Sequence, residues 1–527
     1  MTWQPIPGRI VIGVTGHRKL EDEAQAASGV REALKALRKA LPELKHTPVV
    51  FSILSPLAEG ADRLVAREAV QIEDAQLEVV LPLEKDDYLT DFKSAASKAE
   101  FERMLDRTVR VKALPLAPTR NEAYERVGRY VVDHCDVLIA LWNGQPAAGQ
   151  GGTAEIVAYA REKKIPFMWV NTAEGGRLIV ELGRDLRKEL LQGLDRYNGE
   201  KLATRELDGH AAQHIAILEE QAGAAGLKVE AFRRHWETLA KHYSRADILA
   251  LRYQRLYYKA GSMIYALAAA AATTAAFQGI FLPAWPRIAL LEVLFIAAIL
   301  AIVWIGNKRK WHDRWIDYRF LAERLRSAFF LSAAQVGLET IRPPRVLRLA
   351  EPSREWIYAA FASVWNDLPP SQRVEPILLA GLKRYLLRAW VDDQKVYHRK
   401  TSLRHGRRHL RMSRLGLGFF AVTFAAALIH ALHVGPGWLQ KTSLFLAIAS
   451  PILAGSLAAV RTHREYDRNS KRSAEMALHL ESLAEPMERA DSREELIAIV
   501  KEIEETMLHE NEDWRVVVRF HELEPLA

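Results

Sequence analysis

The residues best equipped to handle a ligand cluster in three short loops. Thr15, Gly16, His17 and Arg18 stand together in TGHR; Ser55, Glu59, Gly60, Asp62 and Arg63 share SPLAEGADR; Asn143, Gly144, Gly151, Gly152, Thr153 and Glu155 belong to NGQPAAGQGGTAE. Glycine lacks the Cβ that would hold a ligand away from the backbone amides. His17, Arg18 and Arg63 could neutralise phosphate, arginine with the advantage of a planar, bidentate fork. Glu59, Asp62 and Glu155 could accept hydrogen bonds from ribose hydroxyls or an adenine amine. Thr153 has the hydroxyl of a good N-cap, and a glycine loop leading into a helix N-terminus suits an anion, phosphate above all. Plainer readings stand beside these. The third loop alone fits an ordinary strand-to-helix turn, and Asp62 and Arg63 fit a solvated helix face, the preferred reading for Arg63. No companion nucleophile accompanies His17, so it reads as a ligand contact and not a catalyst.

The segments that would position these loops alternate. Apolar runs at Arg9–Val14, Val49–Leu54, Leu77–Leu81, Val109–Ala113, Val137–Trp142 and Phe167–Val170 have the length of buried strands. Helical periodicity fills Ala24–Ala40, the stretch through Arg63 and Val70, and Glu122–Asp133. Alternation of this kind predicts an α/β domain with a mostly parallel sheet and helices on both faces. The three loops all fall at the carboxyl ends of strands, where such sheets bind ligands.

The chain has 527 residues, enough for two or three domains, and a formal charge of +8 with a pI near 9.3. The excess charge sits beside apolar segments, which favours an anionic membrane surface over nucleic acid. The single cysteine, Cys135, excludes an internal disulfide framework and fits a reducing compartment. Gly8–Val14 has no positively charged approach and no cleavage signal, so no secretory leader is expected.

Four apolar segments follow, near 261–283, 288–305, 415–432 and 443–460, each long enough at 1.5 Å per residue to cross a hydrocarbon core of roughly 30 Å. Arg252, Arg255 and Lys259 precede the first; Lys308, Arg309, Lys310 and Arg314 follow the second. Arg404, Arg407, Arg408, Arg411 and Arg414 precede the third, and Arg461 and Arg464 follow the fourth. The short loops within each pair carry little beyond Arg287 and Lys441. The positive-inside rule then places both termini and the long central segment in the cytoplasm, in a multi-pass protein of the inner membrane. Glu292 is the one charge within a span and is a pore candidate, although Arg287 lies only about a turn away. His430 and His433 fall at the outer end of the third span. His210 and His214 have an i, i+4 spacing but no HExxH glutamate and no third ligand, so no metal site is expected.

Two family resemblances run through these residues. GVTGHR, SPLAEGADRL, LPLEKDDYLTDF and DVLIALWNGQPAAGQGGTAEIVAYA, in that order between Arg9 and Val170, resemble the SLOG family of Rossmann-like domains. That resemblance implies a nucleotide-type signalling ligand and no further cofactor. The related phosphoribohydrolases carry Pro-Gly-Gly-x-Gly-Thr-x-x-Glu, whereas here Glu155 follows Thr153 after a single residue. A shift of one helical position turns a side chain by about 100°, so binding is expected and not hydrolysis, with no catalytic residue assigned. The two pairs of spans look duplicated, with Tyr253–Tyr258 before the first and Trp390–Tyr397 before the second. Each pair, flanked by helices, resembles the SLATT family of two-span membrane effectors.

The resulting expectation is an α/β Rossmann-like domain at 1–175, a helical connector at 176–245, SLATT-like units at 246–345 and 386–527, and a helical linker at 346–385. The two resemblances together imply a nucleotide sensor and membrane effector in bacterial antiviral defence. It would oligomerise with copies of itself to form a pore or ion channel or to disrupt the bilayer, with a signal-synthesising enzyme as a possible partner and anionic lipids at its basic flanks. The alternative is a membrane-anchored hydrolase of nucleotide or NAD-like N-glycosides with Glu155 as the acid. A passive transporter lacks the paired charged or unwound spans it would need.

Overall fold

The computed structural model describes residues 3–71, 75–146, 151–181, 186–336, 355–369 and 379–518. It contains an α/β unit, Gln4–Lys201 joined by Pro343–Asn366, and a helical unit, Leu202–Arg342 joined by Asp367–Ala527.

Seven strands build the α/β unit: β1 (Gly8–Gly16), β2 (Val49–Ser55), β3 (Gln76–Leu81), β4 (Arg110–Ala113), β5 (Val137–Trp142), β6 (Phe167–Asn171) and β7 (Arg177–Glu181). Their order is β4-β3-β2-β1-β5-β6-β7, and every neighbouring pair is parallel except β6 and β7. The expected mostly parallel sheet is therefore present. β7 is an addition that the sequence reading did not predict. It is an antiparallel edge strand whose Val180 is 46% exposed, so RLIVE has no buried apolar run to announce it.

The chain runs from β1 outward to β4 and then crosses back to lay β5 against the free side of β1. One face of the sheet packs Leu54, Val80, Leu138 and Phe167 under α5 (Arg120–His134) and α6 (Thr153–Glu162). Gly13 lies on that face; a Cβ there would come within 2.9 Å of both Val131 and Cys135, so any larger residue would lift α5 away. The opposite face carries α1 (Glu23–Ala40), whose Arg38 lies over the ring of Phe51. α1 starts where Asp22 accepts the Gln25 amide at 2.9 Å, a cap that contributes about 1 kcal/mol. The remaining helices are α2 (Ala61–Val70), α3 (Lys85–Leu89), α4 (Ala95–Leu105), α7 (Lys188–Asn198) and, from the later segment, α12 (Glu355–Asn366). Trp356 of α12 fills the space above Gly193, its ring tilted against that of Tyr197 of α7 at 5.6 Å.

The helical unit contains α8 (Thr204–Ala224), α9 (Glu230–Phe281), α10 (Ala289–Lys308), α11 (Trp311–Ala334), α13 (Leu379–Tyr385), α14 (Asp393–Ala431), α15 (Gly437–His463), α16 (Tyr466–Arg489) and α17 (Arg493–Val518). A π-helical stretch, Leu386–Asp392, joins α13 to α14. Among the described residues four helices are long and apolar enough to cross a membrane, and they cover the four segments expected from sequence to within two residues. Leu417 and Phe424 are each 72% exposed within the chain. Apolar surface left in water costs about 25 cal/mol per Å², so these faces need lipid or another chain around them.

The two long hairpins end in the same backbone break. α10 finishes on Arg309, Lys310 turns left-handed at φ 49° and ψ 47°, and α11 begins. α15 finishes on Arg464, Glu465 turns left-handed at φ 48° and ψ 38°, and α16 begins. Even the bonds repeat: the Arg309 amide reaches Ile305 O at 2.9 Å, and the Arg464 amide reaches Val460 O at 3.0 Å. The halves meet where α9 crosses α15. Gly261 lies so close to the His463 ring that a Cβ would be 2.1 Å from it, and Ser456 Oγ donates to Tyr265 O at 3.0 Å.

Candidate functional site

The candidate loops converge over the carboxyl ends of β1, β2 and β5, at the reversal of strand order where sheets of this kind form a ligand crevice. Gly16 closes β1. A Cβ at that position would stand 2.4 Å from Ala61 Cβ and 2.7 Å from Leu141 O, so only glycine lets β5 and α2 come this near. His17 then ties the loops together. Its amide donates to Leu141 O at 3.1 Å, its carbonyl accepts from Ala61 at 3.0 Å, and its Nε2 accepts from the Asn143 amide at 3.1 Å. An accepting Nε2 puts the ring proton on Nδ1. Thus the structure brings the first and third loops together through His17 and Asn143, with Thr15 one residue back at the end of β1.

The second loop is held by its own side chains. Ser55 Oγ accepts the Leu57 amide at 3.1 Å, supporting a left-handed Leu57 at φ 55°. Gly60 has φ 79°, and a Cβ there would lie 2.5 Å from the carbonyl oxygens of both His17 and Arg18. Asp62 is only 5% exposed and accepts from the Ala58 amide at 3.2 Å. Burial pushes its carboxyl up to about 7, against the Ala58 amide and the charges of Arg18 and Arg63.

Arg63 does not lie on a solvated face. It is 3% exposed, its Nε donates to Leu57 O at 3.1 Å, and its Nη1 reaches Ser97 Oγ at 2.8 Å and Glu100 at 3.2 Å. Its guanidinium also covers the ring of Phe92. Ser97 in turn donates to Glu59. Arg63 and Glu59 are therefore joined in one bonded group that fastens the second loop to α4.

In the third loop, Asn143 Oδ1 accepts the Gln145 amide at 3.1 Å, and Gly144, at φ 80°, lies over Trp169. Residues 147–150 of that loop lie outside the described residues. Gly151 has φ 77°, and a Cβ there would meet the Glu125 amide at 3.0 Å. The cap of α6 is Gly152, with Thr153 the first helical residue, so the expected Thr153 cap falls one position too late. Glu155 takes the capping role by accepting the Gly151 amide at 2.8 Å. The amides of Thr153 and Ala154 precede the first bond of α6, from the Glu155 amide to Gly152 O at 3.0 Å, and lie at the positive end of the helix dipole.

Around Arg18 stand five residues that were not among the sequence candidates: Asp87, Tyr88, Asp91, Arg120 and Tyr124. Arg18 is exposed and its guanidinium sits 4.8 Å from the Tyr124 ring centroid. Tyr124 donates to Asp91, and Arg120 pairs with Asp91 at 2.9 Å and with Asp87. Burial pushes the Tyr88 phenol above its ordinary range, aided by Asp62. Asp91 and Tyr88 lie in the LPLEKDDYLTDF block, which is the only signal that pointed toward them. The arrangement offers an arginine on an aromatic ring, buried carboxyl chemistry and helix-terminal amides.

The other sequence candidates lie in the helical unit. His210 meets Ser244 Oγ at 3.0 Å and Asp247 at 3.6 Å, while His214 packs among Tyr243 and Phe329. Glu292 stands in the first turn of α10, where the helix dipole favours an acid. Residues 386–514 match the family model described as SMODS and SLOG-associating 2TM effector domain 1, SLATT_1. The match opens on the π-helical stretch and takes in α14, α15, α16 and most of α17. No curated protein matches the chain.

Proposed function

We propose that this chain is a membrane effector whose α/β unit binds a small phosphorylated ligand of nucleotide type. The carrying observation is that the 2TM effector match falls on helices whose apolar faces are exposed. Arg18 and the first turn of α6, both at the strand-order reversal, support an anionic ligand, with Asn143, Gly151 and Gly152 bordering the same crevice. The basic residues flanking every span support a cytoplasmic placement of both termini in an inner membrane. Ligand binding shifts the spans only if the ligand prefers one of two membrane states, and several copies are needed to surround a conducting path. The description of the matched family supports a role beside SMODS and SLOG systems, hence in antiviral defence.

Two experiments test this reading together. Mass spectrometry of small molecules copurifying with the full chain should recover a phosphorylated nucleotide, and Arg18→Ala should lose it while the chain still resists carbonate extraction. Extraction of the whole chain by carbonate would end the membrane part of the proposal. Retention of the same nucleotide by Arg18→Ala at undiminished affinity would end the site assignment. The bond from Gly151 to Glu155 supports binding over N-glycoside hydrolysis, because that carboxylate already caps its own helix.

A further inference from the structure

The helical unit encloses a second, strongly basic cavity, of about 630 Å³, that the proposal above does not use. It is walled by α9 and α11 from the first hairpin and by α14, α16 and the Arg464 break from the second, with Met507 of α17 closing one side. Arg319, Arg326, Arg404, Arg408, Arg464 and Arg472 line it, against two carboxylates, Asp247 and Glu323. Every lining residue falls outside the four apolar segments, on the basic flank.

The two carboxylates are both engaged at one end. Glu323 pairs with Arg319 and Arg326, and Asp247 lies 3.4 Å from Arg319 and 3.6 Å from His210. Burial opposes the charge on Glu323, yet Arg319 and Arg326 hold its carboxyl below the usual range. Arg404, Arg408, Arg464 and Arg472 complete the basic lining, in which Asp247 and Glu323 are the two acids among the described residues. Arg464 Nη2 donates to Ser262 Oγ at 3.1 Å, but its Nε is buried without a hydrogen-bond partner among the described residues, as are Nδ1 of His398 and of His405. Tyr258, Trp315 and Tyr466 supply aromatic wall.

We propose that this cavity is a binding site for a multiply charged phosphate compound, seated between the two hairpins. Guanidinium groups outnumber carboxylates six to two in this lining, and arginine suits phosphate because it donates in pairs. The volume is that of an ordinary small-molecule site. Occupation would fasten α14 and α16 to α9 and α11, and so set how the two hairpins pack. The same chemistry could come from a soluble polyphosphate or from a two-phosphate lipid headgroup; basic pockets beside spans take such lipids. Arg404 and Arg408 also border an outer groove with Arg407 and Arg411, which gives an internal control.

The test uses the full chain in nanodiscs of phosphatidylcholine, with inorganic pyrophosphate titrated by calorimetry, and in discs containing cardiolipin, with bound lipid read by native mass spectrometry. The variants are Arg404→Gln/Arg408→Gln, whose side chains are exposed, and Arg472→Gln, which lines only the cavity. Measured in the Arg18→Ala background, which silences the α/β crevice, a soluble source predicts saturable pyrophosphate binding that falls at least tenfold in both variants and is unchanged in Arg407→Gln/Arg411→Gln. A lipid source predicts retained cardiolipin that is lost in the same two variants and displaced by pyrophosphate. Either result supports the site, and the Arg18→Ala background separates its fate from that of the crevice in the α/β unit. Absence of both, or binding of either probe that survives both variants, overturns it.

Discussion

Glu155 accepts the amide of Gly151 at 2.8 Å, so the acid nearest the third glycine loop closes the helix that would otherwise offer it to a ligand. Glu155→Ala should destabilise the full chain by about 1 kcal/mol, the usual worth of a lost cap. Glu155→Gln should keep its fold and its nucleotide. Thermal unfolding and copurification read the two effects; loss of the nucleotide from a well-folded Glu155→Gln would make the acid a ligand contact.

Asp62 gives the α/β unit a pH dependence of definite sign. Its folded value, about 7, stands above the unfolded 3.8, so the stability it contributes is complete below about pH 4 and disappears as pH rises through 7. Relative to Asp62→Asn, the parent should lose about 4 kcal/mol between pH 4 and pH 8, at 1.36 kcal/mol per unit. Parallel denaturation curves for the two proteins across that range would show that Asp62 does not change its protonation on unfolding.

The topology can be read with thiols. Cys135, the single native cysteine, is buried, and burial pushes its thiol up, so labelling background should be low. Trp285→Cys, in the turn between α9 and α10, and Trp438→Cys, in the first turn of α15, should react with an impermeant maleimide on intact cells. Arg309→Cys and Arg468→Cys should react only after lysis. The reverse pattern would invert the proposed orientation.

The left-handed breaks at Lys310 and Glu465 put side chains where glycine is easier. Lys310→Gly should raise stability in detergent by up to about 1 kcal/mol, and Lys310→Val should lower it. Glu465→Gly should gain less, because it gives up the pair with Arg468 at 3.7 Å. A neutral Lys310→Gly would mean that the conformation carries no local strain.

The legible parts of this molecule were those written in neighbouring residues. Apolar runs such as Val137–Trp142 located strands, and the spans appeared as uncharged stretches, because in both cases burial or lipid selects consecutive side chains. The spacing of Ser492 and Glu495 likewise reads as a capping box, and Ser492 Oγ accepts the Glu495 amide at 3.1 Å while Glu495 accepts the Asp491 amide. Groupings made across the fold were not visible. Arg18 meets Tyr124 from a distant helix, Arg63 turns inward to Ser97 and Glu100, and the cavity arginines come from three helices and the Arg464 break. Nor does an apolar window show where a helix ends: α9 and α14 both begin far ahead of their spans.

α9 runs unbroken for 52 residues, about 78 Å at the standard rise. A rod of that length without a joint acts as a lever. A tilt of about 5° around its midpoint would swing each tip by roughly 3 Å on that geometry, so a displacement of Tyr243 at the basic end would be carried along the rod toward Phe277.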